Sequence, residues 1–250
     1  MLGLRVIKVG GAELEVAAWL ERLAMGIRAV RPAVVVHGGG RRISAWQERL
    51  GLKVEKVDGV RVTPPEVADV AHMVLSGPTQ ADLVRALRAH GVEAVGVSGA
   101  EGYLTVELVD PARMGRVGRV TGVDVEGLRR LLASGFTPVI APASADEHGA
   151  AVNVNADEAA AAVASALGAL ELLFVSDVPG ILHDGRVLPF ISAEAVEDLV
   201  ARDVITDGMV AKVVAARQSN VARVRIGDLR MLTNPDGGTL VAVAAVGAAA

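Results

Sequence analysis

The stretch VVVHGGGRRI, residues 34–43, joins an apolar run to three consecutive glycines and two arginines. The apolar run predicts a buried strand, and the spacing of Ile43, Trp46 and Leu50 predicts a helix after it. Three glycines in a row are costly, because glycine loses the most backbone entropy on folding. Between a strand and a helix, glycines let backbone N–H groups approach an anion closely. We therefore expect a phosphate or carboxylate site at residues 37–40, although a tight turn alone would also use glycine.

Apolar runs of strand length alternate with helical patterns along the rest of the chain. Strands are predicted at 4–9, 33–36, 92–98, 137–141, 170–176, 221–226 and 239–243, and helices at 65–75, 79–90, 125–134, 157–167, 193–202 and 208–219. Segments 103–109 and 116–120 are compatible with an antiparallel pair. This alternation predicts an α/β fold with a mostly parallel sheet and helices on both faces. Ligands in such folds bind beyond the carboxyl ends of the strands.

Composition argues against several classes of protein. The chain has 250 residues, is 52% apolar, carries a net charge of −4 and has 2% aromatic residues. A nucleic-acid surface usually shows a basic excess and often aromatic stacking residues, so no nucleic-acid partner is expected. The chain has no cysteine, which excludes disulfides and thiolate chemistry. The longest uncharged run, 159–170, is too short to span a membrane, so we expect a cytoplasmic protein without a membrane partner.

Several charged or polar residues stand at the ends of predicted elements. Lys8 interrupts an apolar strand, and a buried lysine needs an anionic partner. Asn155 is typical of a helix N-cap, and Asp157 in the first turn would stay ionised and could orient lysine ammonium groups. Asn153 is not explained by capping. Arg61, a lone arginine between valines, is either a surface strand residue or a residue whose guanidinium binds a substrate carboxylate through two hydrogen bonds.

Three other polar residues are ambiguous when each is taken alone. His37 ends a predicted strand, where a histidine is more often a structural hydrogen-bonding residue than a catalytic one. Asp177 follows a strand and precedes Pro-Gly, which is ordinary turn chemistry. Lys212 lies about one and a half turns into a predicted helix and would by itself be a solvated lysine.

Taken together, the short motifs resemble the amino-acid kinase family over nearly the whole chain. The motifs are KVGG at 8–11, VHGGG at 36–40, GVRVT at 59–63, VGVSG at 95–99, PVIAP at 138–142, NVNAD at 153–157, SDVPGIL at 176–182, ITDGMVAKV at 205–213 and GTL at 238–240. Within that family the order and spacing are most similar to the members that phosphorylate N-acetyl-L-glutamate. The resemblance implies a three-layer αβα sandwich around a mostly parallel sheet. Residues 1–170 would form an N-terminal lobe for the acetylated amino acid and for dimerisation, and residues 171–250 a C-terminal lobe for ATP.

The resemblance also implies a reaction and a set of site residues. ATP with Mg²⁺, the metal carried by the nucleotide, would phosphorylate the side-chain carboxylate of N-acetyl-L-glutamate, a step of arginine synthesis. Lys8 and Lys212 would neutralise charge in the transition state, and Asp157 would hold both lysines. The implied phosphate-binding residues are Gly10, Gly11, Gly39 and Gly40; Arg61 and Asn153 would bind the substrate carboxylate; Asp177, Val178, Pro179, Gly180, Ile181, Leu182, Val204, Ile205 and Thr206 would line the nucleotide site.

The resemblance leaves two alternatives open. One is a sister kinase acting on aminoadipate or glutamate attached to a small acidic carrier protein, which should show a basic patch at its substrate mouth. Lys53 and Lys56, upstream of Arg61, form only a modest positive cluster. The other is a ligand sensor on the same fold without activity. Because the chain begins at the first predicted strand, the resemblance further implies a homodimer that is insensitive to arginine.

Overall fold

The computed structural model describes residues 3–11, 13–57 and 59–242. The α-helices are α1 (Ala17–Ala29), α2 (Gly40–Arg49), α3 (Pro65–Val74), α4 (Gln80–Ala89), α5 (Pro111–Met114), α6 (Val125–Ala133), α7 (Ala156–Leu167), α8 (Ala195–Ala201) and α9 (Asp207–Gln218). The strands are β1 (Arg5–Val9), β2 (Ala33–His37), β3 (Lys56–Val57), β4 (Val60–Arg61), β5 (Ala94–Ser98), β6 (Leu104–Leu108), β7 (Val117–Val123), β8 (Thr137–Ala141), β9 (Ala143–Ala145), β10 (Ala151–Val154), β11 (Glu171–Val175), β12 (Leu182–His183), β13 (Arg186–Val187), β14 (Phe190–Ile191), β15 (Val224–Gly227) and β16 (Thr239–Val241). Short 3₁₀ turns cover Glu13–Glu15, Gly99–Glu101 and Leu229–Leu232.

Eight strands of the described chain form the central sheet, in the order β14-β16-β15-β11-β1-β2-β8-β5. Neighbouring strands are parallel except for β15 and β16, which are antiparallel. The central strands are buried throughout, as expected for parallel strands covered on both faces. The predicted α/β fold with a mostly parallel sheet is therefore confirmed.

Successive side chains of the central strands point to opposite faces of the sheet, so the core is divided into two layers. On β1, β2 and β11, even-numbered side chains pack in one cluster with α7, α8 and α9, and odd-numbered ones pack in another with α1 and α4. Members of the first cluster include Val6, Val36 and Phe174, and members of the second include Ile7, Val35 and Leu173. The result is the three-layer αβα sandwich that the resemblance implies. Lys8, an even-numbered residue of β1, is thereby directed to the α7 side.

Smaller sheets lie beside the central one. Strands β6, β7, β10 and β9 form a second sheet, in which β6 and β7 are the antiparallel pair predicted from the sequence. Strands β3 and β4, of two residues each, form an antiparallel hairpin in which Lys56 pairs with Arg61. Strands β9 and β10 were not predicted, because three or four residues are too few to show a period.

Helix α7 packs closely on the central sheet because its inner face carries small residues. Ala159, Ala160 and Ala164 of this helix are fully buried. Asn155 caps the helix, its side-chain oxygen accepting hydrogen bonds from the backbone of Asp157 at 2.8 Å and Glu158 at 3.4 Å. The N-cap predicted at Asn155 is thus confirmed, and it fixes the position of Asp157.

Two further predictions concern membrane-spanning helices and the last strand. None of the described helices is both long and apolar enough to cross a lipid bilayer. The last described strand, β16, ends at Val241. Residue 243, the last residue of the strand predicted at 239–243, lies outside the described part of the chain.

Candidate active site

Two glycine turns meet at the carboxyl ends of the adjacent strands β1 and β2. Gly10 and Gly11 follow β1, and Gly38 and Gly39 join β2 to α2. A Cβ atom built on Gly11 would lie 2.7 Å from the Cα and 2.8 Å from the backbone nitrogen of Gly39. Since any side chain at Gly11 would collide with backbone, glycine is required there. The two turns are therefore packed against each other at the edge of the sheet, where Gly39 is buried and Gly10, Gly11 and Gly38 are partly exposed.

A carboxylate joins two lysines directly beside these turns. Lys8 Nζ lies 2.9 Å from Asp157 Oδ1, and Lys212 Nζ lies 3.9 Å from Asp157 Oδ2. Lys8 and Asp157 are 6% and 7% exposed. The contact between Lys8 and Asp157 is an ion pair without a well-aligned hydrogen bond, because Oδ1 has no hydrogen-bond partner among the described residues. Burial lowers the pKa of Lys212, while Asp157 opposes that shift.

A pocket of about 220 Å³ opens on the Lys8 side of this group, and we call it the acid pocket. Arg61, 6% exposed, lines it and donates hydrogen bonds to the Gly40 carbonyl at 2.8 Å, to Ser44 Oγ at 2.9 Å and to Gln47 Oε1. These partners are neutral, so the described residues supply Arg61 with no counter-charge. Burial lowers the pKa of Arg61. Asn153 lines the same pocket. The arrangement suits a small anionic ligand.

The hydrogen bonds of Asn153 tie the acid pocket to the neighbouring sheet. Asn153 Nδ2 donates to Thr63 Oγ1 at 3.2 Å, and the Thr63 hydroxyl donates to the Arg61 carbonyl at 2.7 Å. Strand β10 therefore fixes the same segment that carries the guanidinium. Gly39 and Gly40 also line the pocket, and the Gly40 carbonyl accepts the hydrogen bond from Arg61.

A second cleft, of about 510 Å³, opens on the Lys212 side, and we call it the nucleotide cleft because of its predicted ligand. Gly10, Asp177, Val178, Thr206 and Lys212 line it. All five were predicted site residues. Asp157 lies between the two cavities through its contacts with both lysines. Two compartments that share a Lys-Asp-Lys group can hold two reactants side by side and stabilise negative charge that moves between them.

His37 is held in a neutral form next to this group. Its ring is fully buried, and the Nδ1–H group donates to the Gly38 carbonyl at 3.1 Å. Burial, together with the charge of Lys8, lowers its pKa to about 4. As an odd-numbered residue of β2 it belongs to the face opposite α7. The structure thus gives His37 a structural contact at the start of the turn.

Comparison with protein families gives a match to the model of the amino acid kinase family over residues 3–228, a range that includes both lysines, Asp157 and both glycine turns. The chain belongs to the amino acid kinase family. It is 49% identical to the acetylglutamate kinase of Chloroflexus aurantiacus over 247 residues, 96% of each chain. It is 46% identical to the acetylglutamate kinase of Geobacillus stearothermophilus over 215 residues, 84% of this chain and 83% of that one.

Solved structures show the same fold. The smu.665 protein of Streptococcus mutans UA159 superimposes with a TM-score of 0.85 at 29% identity, covering 97% of this chain and 99% of its own. Carbamate kinase of Giardia lamblia superimposes with a TM-score of 0.72 at 15% identity, covering 96% and 99%. At that identity the second likeness bears on the fold alone.

The remaining residues implied by the amino-acid kinase resemblance lie away from the centre of the nucleotide cleft. Ile181 and Ile205 are 1% exposed members of the core. A Cβ on Gly180 would meet Val187 and Thr239, so this glycine packs tightly against β13 and β16. Pro179, Leu182 and Val204 are outside the lining of the cleft. Their predicted contact with nucleotide remains a prediction.

Sequence reasoning missed several residues of the site. Gln47 and Ser44 hold the Arg61 guanidinium, and both lie on α2, which follows the glycine turn. Their spacing of three residues places them on one helix face, but nothing in the sequence predicts which side chain that face meets. The sequence shows Lys56 only as part of a positive cluster; in the structure it pairs with Arg61 across β3 and β4 and lines the acid pocket. Glu13, in the nucleotide cleft, was not singled out.

Proposed function

We propose that this amino-acid kinase transfers the γ-phosphoryl group of ATP to the side-chain carboxylate of N-acetyl-L-glutamate. The products are N-acetyl-L-glutamyl 5-phosphate and ADP, an activation step of arginine biosynthesis. The observation that carries the proposal is the buried Arg61, whose hydrogen-bond partners are all neutral, in a pocket that meets the Lys8-Asp157-Lys212 group. The relatives named acetylglutamate kinase support the choice of substrate.

Arg61 and Asn153 are proposed to bind the α-carboxylate end of the substrate. A buried guanidinium without a counter-charge gains most from a carboxylate, because the paired ions recover the cost of desolvation. The substrate's side-chain carboxylate then points toward Lys8 and the glycine turns. With an ordinary pKa of about 4.3, this carboxylate is already ionised at neutral pH and needs no general base.

Phosphoryl transfer at this site is a matter of positioning and charge. A carboxylate oxygen forms a bond to the γ-phosphorus as the bond to the bridging oxygen of ADP breaks. Gly10 and Gly11 on one side, and Gly39 and Gly40 on the other, are proposed to donate backbone N–H groups to the phosphoryl oxygens. Lys8 and Lys212 stabilise the negative charge, while Asp157 positions both ammonium groups.

The cofactors follow from the same reasoning. ATP is proposed to occupy the nucleotide cleft, with residues 177–182 and 204–206 beside it. Mg²⁺ bound with the nucleotide would neutralise the phosphate oxygens, and it prefers oxygen ligands of the kind that Asp177 offers in that cleft. The protein is further proposed to act in the cytoplasm as a homodimer; light scattering after gel filtration measures its assembly.

The proposed reaction can be tested by trapping its acyl phosphate product with hydroxylamine. Purified protein, ATP and Mg²⁺ are incubated separately with N-acetyl-L-glutamate, L-glutamate, L-aspartate and N-acetyl-aminoadipate. We expect hydroxamate chiefly from N-acetyl-L-glutamate. Turnover with none of these acids would overturn the proposal and favour a carrier-protein-linked substrate. In the structure Lys53 is ion-paired with Glu55 at 2.6 Å, so the positive charge of Lys53 is partly neutralised and adds little support for that alternative.

The role of Arg61 is tested by Arg61→Gln. Removing one partner of a buried charge pair costs about 2–5 kcal/mol, so KM for N-acetyl-L-glutamate should rise by at least about thirtyfold. KM for ATP should change little, because Arg61 lies in the other cavity. Arg85→Gln, at an arginine whose side chain is 76% exposed on α4, is the matched control. An unchanged KM for the acid in Arg61→Gln would contradict this assignment.

A further inference from the structure

Glu13 is a carboxylate that the proposed mechanism does not use. It begins the 3₁₀ turn Glu13–Glu15, which follows the first glycine turn, and it lines the nucleotide cleft. Its Oε2 atom is buried and has no hydrogen-bond partner among the described residues. A buried carboxylate oxygen without a partner is costly, which suggests that a ligand completes its environment.

The position of Glu13 is unusual for a phosphate-binding turn. A Cβ atom built on Gly10 would lie 2.3 Å from Glu13 Oε2, so the carboxylate lies directly against the Gly10 backbone. Gly10 is one of the residues proposed to donate N–H groups to the phosphoryl group. A negative charge at that place repels bare phosphate oxygens instead of attracting them.

The other charges of the nucleotide cleft do not remove this repulsion. The charged side chains that line the cleft in the described chain are Lys212, Glu13 and Asp177, one cation and two carboxylates. Lys212 is also partly neutralised by Asp157, 3.9 Å away. A nucleoside triphosphate therefore meets an unfavourable field on the Glu13 side unless a cation lies between the phosphates and the carboxylate.

We propose that Glu13 binds the divalent cation that accompanies the nucleotide, either directly or through a coordinated water. The inference rests on the proposed function, since it requires a nucleoside triphosphate in this cleft. Mg²⁺ is typically held by one or two carboxylates together with substrate phosphates and retained waters. Glu13, which lines the cleft, can supply one such carboxylate. Glu13 thus makes the cleft selective for metal-bound over metal-free nucleotide.

Calorimetric titration tests this selectivity without relying on turnover. ATP is titrated into the wild type and into Glu13→Gln, once with Mg²⁺ and once with a chelator. In Glu13→Gln we expect metal-free ATP to bind more tightly and Mg-ATP more weakly. The ratio of the two dissociation constants should shift by about tenfold or more, the usual effect of losing one contact to a bound metal.

The chain provides a matched control two residues away. Glu15 belongs to the same 3₁₀ turn but is exposed and lies outside the lining of the cleft. Glu15→Gln should therefore keep the wild-type ratio. Glu13→Ala removes the same charge without adding an amide, and it replaces Glu13→Gln if that variant does not fold. Retention of Mn²⁺ in the nucleotide complex, followed by electron paramagnetic resonance, should fall in the Glu13 variants only.

The outcomes separate the inference from the function on which it rests. If the Glu13 variants keep the wild-type ratio, or weaken both forms of ATP equally, Glu13 does not bind the cation and the inference is overturned. If the wild-type protein binds neither form of ATP, the proposed function itself fails and the inference fails with it. Opposite shifts for the two forms of ATP, seen in Glu13→Gln and not in Glu15→Gln, support the inference.

Discussion

Lys8 and Lys212 carry two positive charges that share one carboxylate, Asp157. The group as a whole is cationic and lies where the acid pocket and the nucleotide cleft meet. A charge held in a largely buried position is worth more to a transition state than one in water, because the local dielectric constant is low and no reorganisation is needed. The net positive charge of this group can therefore stabilise the negative charge of a phosphoryl-transfer transition state.

Removing either lysine should slow the chemical step. We expect Lys8→Ala and Lys212→Ala to lower kcat by about 10²–10³-fold, by analogy with the loss of one transition-state donor. The measurement is steady-state hydroxamate formation at saturating ATP and N-acetyl-L-glutamate. Lys53→Ala, which removes a lysine whose side chain is 80% exposed, should keep the wild-type rate. Near-wild-type turnover in either site variant would refute the proposed mechanism.

His37 should make the stability of the protein depend on pH. Its folded-state pKa of about 4 lies below the ordinary value of 6.5, so between these values the unfolded chain binds a proton that the native state does not. The free energy of unfolding therefore falls as pH falls through this range, with a contribution of roughly 2 kcal/mol between about pH 7 and about pH 5. Urea unfolding at both pH values measures it.

A variant isolates the contribution of His37. His37→Gln should lose less stability than the wild type over the same pH interval, because it has no imidazole to protonate. His148→Gln, which removes an exposed histidine, is the control for the loss of one imidazole and should follow the wild type. If all three proteins lose the same stability, the buried ring does not carry the pH dependence.

The site could be predicted only in part at this scale. Lys8 and Asp157 stand out because a lysine in an apolar strand and an aspartate after an N-cap are local signals. Gln47, Ser44 and Glu13 give no such signal, since each matters only through a contact with a distant segment or with a turn backbone. Which polar side chain meets Arg61 depends on how α2 is placed against the β3–β4 hairpin, and that is decided by tertiary packing.

Among the elements, the two glycine turns depend most strongly on each other. The Gly11 backbone and the Gly39 backbone are so close that a methyl group cannot fit between them. Adjacent parallel strands end at the same edge of the sheet, and this brings the turns together. The close approach explains why Gly11 must be glycine, and it leaves the other glycines of the two turns free to serve the proposed anion site.

Alanine substitutions in the two turns should have unequal effects. Gly11→Ala should lower the free energy of unfolding by about 1–3 kcal/mol, because it forces the backbones apart. Gly38→Ala is the matched control: its nearest contact would be an ordinary 3.7 Å from Gly11 nitrogen, so stability should be nearly unchanged. Denaturant unfolding compares them. Equal stability of the two variants would show that the turns separate without cost.

Long elements were predictable and short ones were not. The predicted strands at 33–36 and 137–141 match β2 and β8 closely, because five buried residues give a clear apolar run. Strands β12, β13 and β14 have two residues each. They show no periodicity, and their pairing with other strands defines them. The sequence therefore predicts the layers of the fold better than it predicts the loops that border the nucleotide cleft.

At the scale of the whole molecule, one sheet runs across the two lobes implied by the resemblance. Strand β11, in residues 171–250, pairs with β1 on one side and β15 on the other. Helix α7, in residues 1–170, packs in the same core cluster as α9. The division of the chain at residue 170 therefore remains a prediction about ligand binding, and the core is shared.

This shared core predicts a single cooperative unfolding transition. Both tryptophans, Trp19 and Trp46, lie within residues 1–170, so their fluorescence reports on that part, whereas far-ultraviolet circular dichroism reports on the whole chain. The thermal midpoints from the two signals should coincide, as they do for a two-state domain. ATP and Mg²⁺ at about 100 times Kd should stabilise the native state by about 2.7 kcal/mol and raise both midpoints equally. A fluorescence midpoint that did not move with the dichroism midpoint would mean that the lobes unfold separately, because nucleotide binding would then stabilise only the part of the chain that holds it.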